Sequence, residues 1–153
     1  MQGRKDVIAT LLIEPQLEQY DTFFDRPWAE ALFERTPAQL ADAVSNLGRV
    51  ALGVAGIATG RTELLRELTV DRLHEPYRAQ IYPELPRIVT AARDAGAIGA
   101  CLSGAGSTIL AFADQVSTIT RIEAAYRAAS ADLDLAGRIL VVAPRNHGAR
   151  VVP

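Results

Sequence analysis

Ala97-Ile-Gly-Ala-Cys-Leu-Ser-Gly-Ala-Gly-Ser-Thr-Ile-Leu-Ala-Phe-Ala-Asp114 is the stretch whose reading decides the fold of this chain. Two short apolar runs bracket a segment almost without side-chain bulk, Ser103 to Thr108, which is how a strand, a tight glycine loop and a returning strand look in sequence. Gly104 and Gly106 reach positive φ without a Cβ clash, so the backbone can turn sharply and present successive N–H groups to one side. Ser103, Ser107 and Thr108 add hydroxyls, and Ala105 puts no bulk in a ligand's way. Two readings of the loop stand: a cradle for a phosphate or carboxylate, and a hairpin turn that needs glycine for its geometry alone, because a lone Gly-x-Gly is weakly specific.

Working outward, Leu85 to Asp94 predicts an amphipathic helix with Ile88, Ala91, Ala92 and Ala95 on its apolar side and Gly96 placed to end it. Beyond the hairpin, Ser117 to Ala131 predicts a helix that turns Ile119, Ile122, Ala125 and Tyr126 inward, and Ile139 to Ala143 a last strand stopped by Pro144. Upstream, Thr36-Pro37-Ala38-Gln39 is a helix start: Thr36 as cap, Pro37 in the first turn, Gln39 completing a capping box. Leu40, Val44, Leu47, Ala51, Val54 and Ala58 then recur on one helical face, up to a stop at Gly60. Glycine costs about 1 kcal/mol relative to alanine inside a helix, so Gly48, Gly53 and Gly56 imply close backbone packing or a break.

Thr62 to Leu68 predicts a second short helix, followed by Asp71-Arg-Leu-His-Glu-Pro-Tyr-Arg78, where Pro76 is expected to interrupt a helix and re-aim the side chains. Val7 to Ile13, closed by Glu14-Pro15, reads as an opening strand. Between them, Gln16 to Arg35 mixes acids with Tyr20, Phe23, Phe24, Trp28 and Phe33, and Pro27 to Glu34 can form a short helix. The acidic neighbours favour core or interface plugs over a base-stacking platform. Strand, helices, strand, glycine hairpin, strand, helix, strand is an α+β order: a ferredoxin-like two-layer sandwich, with helices on one face of a mostly antiparallel four-stranded sheet.

With 153 residues the chain, 1–153, reads as a single domain. A hydrophobic share of 49% against 22% charged is that of a folded protein. The formal charge of -2, with no basic block, argues against nucleic acid as a partner. Cys101, the single cysteine, excludes a disulfide framework and reads as a small buried hydrophobe rather than a nucleophile. No uninterrupted apolar run long enough to span a bilayer and no signal-type core follow the opening residues, so the expectation is a cytoplasmic protein without a membrane partner.

His74 reads as a surface or helix-end residue, and His147 stands far off in the tail, so no metal-ligand pair is expected. Arg78 carries more: a planar guanidinium recognises a carboxylate with two parallel hydrogen bonds, against the alternative of a solvated salt bridge with Glu75.

Four segments in order carry a resemblance: Asp42-Ala-Val-Ser-Asn-Leu-Gly-Arg49, the Asp71 to Arg78 segment with Pro83 following, Gly99-Ala-Cys-Leu-Ser-Gly-Ala-Gly-Ser107, and Gly148-Ala-Arg-Val151. Together they resemble the C-terminal half of the homoserine kinase family, within the GHMP small-molecule kinases, from about Ala38 onward, with Val7 to Pro15 similar to the strand that opens that domain. The resemblance implies ATP-dependent phosphorylation of L-homoserine to O-phospho-L-homoserine, a step toward threonine, with ATP and Mg2+ as cofactors. It implies that Arg78 binds the substrate carboxylate and that Ser103, Gly104, Ala105 and Gly106 lie near the substrate and the transferred phosphate. Beside these, Asn46, His74, Ser107 and Thr108 are candidate supporting residues. Phosphoryl transfer rests mostly on positioning and charge neutralisation, so no catalytic side chain is assigned. The family's Pro-x-x-x-Gly-Leu-Gly-Ser-Ser loop for ATP is not matched, residues 1–36 diverge, and Ser107 stands where a proline is common. The chain therefore reads as half an enzyme without its N-terminal ATP-binding domain, incomplete alone, joined to a separate N-terminal half or to a second copy. The alternative is a noncatalytic ferredoxin-like module that binds an amino acid or a partner protein.

Overall fold

A computed structural model describes residues 37–144. The expected strand over residues 7–13, the short helix over 27–34, the cap Thr36, His147 and the tail segment 148–151 lie outside the described residues.

Helix α1 runs Pro37–Thr59, begun by its proline as the sequence predicts and unbroken through its glycines. It ends at Gly60 (φ +71), after which the Arg61 N–H donates to the Gly56 carbonyl at 2.8 Å, a Schellman-type closure. The predicted helix over 62–68 is a 3-10 turn, Thr62–Leu64, leading into a single α turn, α2, Leu65–Leu68. Gly53 and Gly56 let α1 close on this pair: a Cβ on Gly53 would fall 2.5 Å from Leu68 Cβ, and one on Gly56 2.8 Å from Leu64 Cβ. Gly48, by contrast, faces open space.

The face of α1 that meets the domain is thus glycine, flanked by Asp42, Ser45, Asn46 and Arg49, and the apolar stripe from Leu40 to Ala58 points away from it. Leu40 is 67% and Leu47 71% exposed, so the stripe does not line this domain's core. Periodicity fixes which residues share a side of a helix; it does not fix which side the domain covers.

Helix α3, Glu75–Ile81, carries Pro76 in its first turn. The proline therefore starts a helix where interruption was expected, because a first-turn residue has no intrahelical partner for its missing N–H. Helix α4, Leu85–Asp94, matches its predicted bounds and stops before Gly96 (φ +99). The hairpin follows as β1, Gly99–Leu102, and β2, Ile109–Phe112, antiparallel with Gly99 opposite Phe112 and Leu102 opposite Ile109. Helix α5, Val116–Asp132, is the last regular element among the described residues.

The core lies between the hairpin and α4 with α5. Leu85, Ile88 and Ala92 meet Ala100, Ile109 and Ala111 from the strands and Ile122 and Tyr126 from α5. The architecture is α+β, helices packed on an antiparallel sheet. Residues 139–143, expected as a strand, belong to no helix or strand, although Ile139 packs against the core cluster. A strand exists through its hydrogen-bonded neighbour, and among the described residues the sheet has two strands, β1 and β2.

The register turns Ala100 and Leu102 of β1 away from β2. Side chains close that outer edge: Arg93 of α4 donates to the Ala100 carbonyl at 2.7 Å, and Glu75 Oε1 accepts the Leu102 N–H at 2.5 Å. Ile109 and Ala111 turn their backbone groups to the opposite edge, on β2.

Candidate functional site

The glycine loop between β1 and β2 is closed by the Ser103 N–H on the Thr108 carbonyl (2.8 Å) and by the Gly106 N–H on the Ser103 carbonyl (3.1 Å). Gly104 (φ +59) and Gly106 (φ +89) take the left-handed conformation that the sequence anticipates. Gly104 and Ala105 are exposed; Ser103, Gly106, Ser107 and Thr108 are half-buried. Two of the amides expected to face an anion, those of Ser103 and Gly106, thus turn into the loop itself.

Arg78 comes up from α3 beneath this loop. It is 7% exposed, and its Nη2 donates to the carbonyl of Ala105, 27 residues away in sequence. A Cβ on Gly106 would lie 3.3 Å from the same nitrogen, so the loop's lack of bulk is what admits the guanidinium. Arg78 and the loop therefore share one place. Glu75, three residues before Arg78, accepts the Leu102 N–H through Oε1.

Beside them a second constellation is built on Asp71. Its carboxylate accepts the Asn46 Nδ2–H (2.7 Å) and the backbone N–H groups of Leu73 (2.8 Å), His74 (3.1 Å) and Glu75 (2.8 Å), capping the turn into α3. Asn46 Oδ1 in turn accepts the Arg72 N–H at 3.1 Å. Burial alone would raise the Asp71 carboxyl, but these donors outweigh it and hold the group below its ordinary value. His74, with Nδ1 4.0 Å from Asp71 Oδ2, is lowered by burial and by the charge of Arg78. Glu75 is raised, chiefly by burial and against the pull of the Leu102 N–H. Cys101 is pushed up to about 12 by burial and then by Glu75, which suits a neutral thiol and not a nucleophile.

A cavity of about 330 Å³ opens here, lined among others by Asn46, Arg49, Asp71, His74, Glu75 and Cys101. Arg78 and residues 103–108 are not in its wall. The structure thus groups the predicted residues in two adjoining sets: Arg78 with the glycine loop, and Asn46 with His74 around Asp71. Sequence reasoning passed over Asp71, although an acid just ahead of a helix that opens with Glu75-Pro76 is a recognisable start signal. Arg93, which ties Ala100 to the Thr69 carbonyl (3.1 Å), gave no such signal.

Among the described residues no group of three His, Cys, Asp or Glu side chains is placed to hold a metal.

Residues 54–132 match the family model for the C-terminal domain of GHMP kinases. A homoserine kinase of Moorella thermoacetica is 40% identical over 113 residues, covering 74% of this chain and 38% of that relative. A homoserine kinase of Thermus thermophilus is 43% identical over 100 residues, covering 64% of this chain and 34% of the relative. Among solved structures, the homoserine kinase of Cytophaga hutchinsonii superimposes with a TM-score of 0.71 at 26% identity, covering 90% of this chain and 42% of that one. The chain spans well under half the length of the relatives it matches.

Proposed function

Because the chain belongs to the GHMP kinase C-terminal family, we propose that it is the C-terminal half of a homoserine kinase, phosphorylating L-homoserine at the expense of ATP once an ATP-binding half is supplied. The observation that carries this reading is the meeting of Arg78 with the glycine loop at Ala105. A guanidinium held at a loop without bulk can grip the carboxylate of a small amino acid and leave its side-chain hydroxyl near the loop. The Ala105 carbonyl occupies Arg78 in this state, so the carboxylate shares or displaces that contact on binding. Asn46, Asp71 and His74 form the adjoining wall, where the substrate's ammonium finds carboxylate and amide oxygens. ATP and Mg2+ belong to the other half, upstream or on a separate chain. Strands over 7–13 and 139–143 would complete a four-stranded ferredoxin-like sheet. The cytoplasm, where ATP and free amino acids meet, is the compartment that suits the reaction, in the branch that leads to threonine.

The test is reconstitution. The chain alone should show no ATP-dependent phosphorylation of homoserine, and the pair should produce O-phosphohomoserine detectable by phosphorus NMR. Turnover by the chain alone sinks the half-enzyme reading, and homoserine binding with no phosphoryl transfer by the pair supports a noncatalytic amino-acid-binding module instead.

A further inference from the structure

Resting on the kinase reading above and deepening it, we propose that Glu75 is a positioning residue of that site: through the Leu102 N–H it fixes the root of the glycine loop at the height where Arg78 meets its crown. Glu75 and Arg78 stand one turn apart on α3, so their side chains leave the helix from one face. The groups they reach are spaced in the same way. Glu75 Oε1 accepts the N–H of Leu102, the last residue of β1, at 2.5 Å, and Arg78 donates to the carbonyl of Ala105, three residues on. One turn of helix thus holds the loop at its root and at its crown.

The loop's own hydrogen bonds, from the Ser103 N–H to Thr108 and from the Gly106 N–H to Ser103, lie inside the segment, so they shape the turn without placing it against α3. Leu102 carries the placement onward. A Cβ on Gly106 would fall 2.9 Å from Leu102 Cδ1 and 3.3 Å from Arg78 Nη2, so Gly106 rests on both side chains and a shift of Leu102 moves it relative to the guanidinium. The strand itself does not need Glu75. Arg93 already fastens β1 at the Ala100 carbonyl, and the same nitrogen holds the Thr69 carbonyl in the segment that leads to Asp71. What Glu75 adds lies further along, where strand gives way to loop. A carboxylate is also a costly acceptor at this spot: burial raises it, Asp71 adds to the rise, and the Leu102 N–H and Arg93 oppose it. An ionised acceptor makes the shorter and stronger bond, which is what a tether requires.

The experiment compares Glu75→Ala, Glu75→Gln and Glu75→Asp in the full chain and in the reconstituted enzyme. In the full chain, amide hydrogen exchange read by NMR should show Ser103 and Gly106 opening on the order of 10-fold more readily in Glu75→Ala, with α4 and α5 unchanged. In the enzyme, kcat should fall roughly 10- to 100-fold while KM for homoserine stays within about threefold, because Arg78 still grips the carboxylate and the hydroxyl is misplaced. Glu75→Gln, an acceptor of equal reach, should recover part of both losses. Glu75→Asp, one methylene short, should not, and it replaces Glu75→Ala if that variant fails to fold. Wild-type loop protection or wild-type kcat in Glu75→Ala overturns the proposal, as does a Glu75→Gln no better than Glu75→Ala. So do protection lost throughout α4 and α5, the mark of a purely structural residue, and a raised KM with kcat unchanged, the mark of an acceptor for the substrate's ammonium in the cavity that Glu75 lines. The kinase reading fails separately: a wild-type pair that transfers no phosphoryl group refutes it, and hydrogen exchange in the full chain then still decides whether Glu75 sets the loop.

Discussion

Asp71 accepts hydrogen bonds from an asparagine side chain and from the backbone that opens α3, so one carboxylate sets the position of both Arg78 and His74. Asp71→Ala should cost about 1–3 kcal/mol in urea unfolding, the range for losing a cap together with a part-buried hydrogen-bond hub. The pH dependence has a definite sign. The folded-state value of Asp71 lies below the ordinary 3.8, so its contribution is fully present above that pH and is lost as pH falls through the folded value. Asp71→Asn should flatten the stability profile in that acid window, and an unchanged profile would show that the cap carries no charge-dependent stabilisation. Arg78→Ala, read by calorimetry on the reconstituted enzyme, should weaken homoserine binding by roughly 10- to 100-fold through loss of a charge-assisted pair, with Arg78→Lys recovering part. At Cys101, a thiol near 12 against an ordinary 9 implies roughly 1000-fold less thiolate at neutral pH. Iodoacetamide should therefore label the native chain far more slowly than the urea-unfolded one; equal rates would contradict the raised thiol of this half-buried residue. In sequence, the type and spacing of Arg78 and the glycine loop announced themselves, whereas the role of Asp71 depends on how Asn46 of another helix comes to lie over it, which no local pattern encodes.

Among the elements, α1 tests whether its glycines are there for packing. Gly48 faces open space, so Gly48→Ala should stabilise by about 1 kcal/mol through helix propensity. Gly53→Ala gains the same propensity but drives a methyl to 2.5 Å from Leu68 Cβ, and overpacking of about 1–3 kcal/mol should make it destabilising on balance. Opposite signs in thermal melts of the two variants are the expected outcome; stabilisation by both would mean that α1 does not close on α2. The helices α1, α4 and α5 and the β1–β2 hairpin were legible because each carries its own period, cap or glycine punctuation over enough residues. Residues 139–143 show where that reading ends, since β-branched composition describes a willing strand and only a paired neighbour makes one. Pro76 shows the same at a boundary: the residue breaks or begins a helix according to where the chain enters, and here Asp71 supplies the entry.

For the molecule as a whole, the apolar arc of α1 makes the isolated chain a sticky body. It should bind an apolar dye such as anilinonaphthalene sulfonate, and Leu47→Glu with Val54→Glu should lower the signal; a chain dark to the dye would mean the arc is already covered. The side chains on β1 have a different consequence. With Glu75 and Arg93 seated on its outward amide and carbonyl, that rim is stoppered, and further strands can join the sheet only alongside β2. Assembly is thereby given a direction: like a zip with a stop sewn at one end, the sheet can lengthen its row only toward the open end. A misdirected neighbour in a crowded cell meets a carboxylate and a guanidinium where it seeks a backbone to mate with.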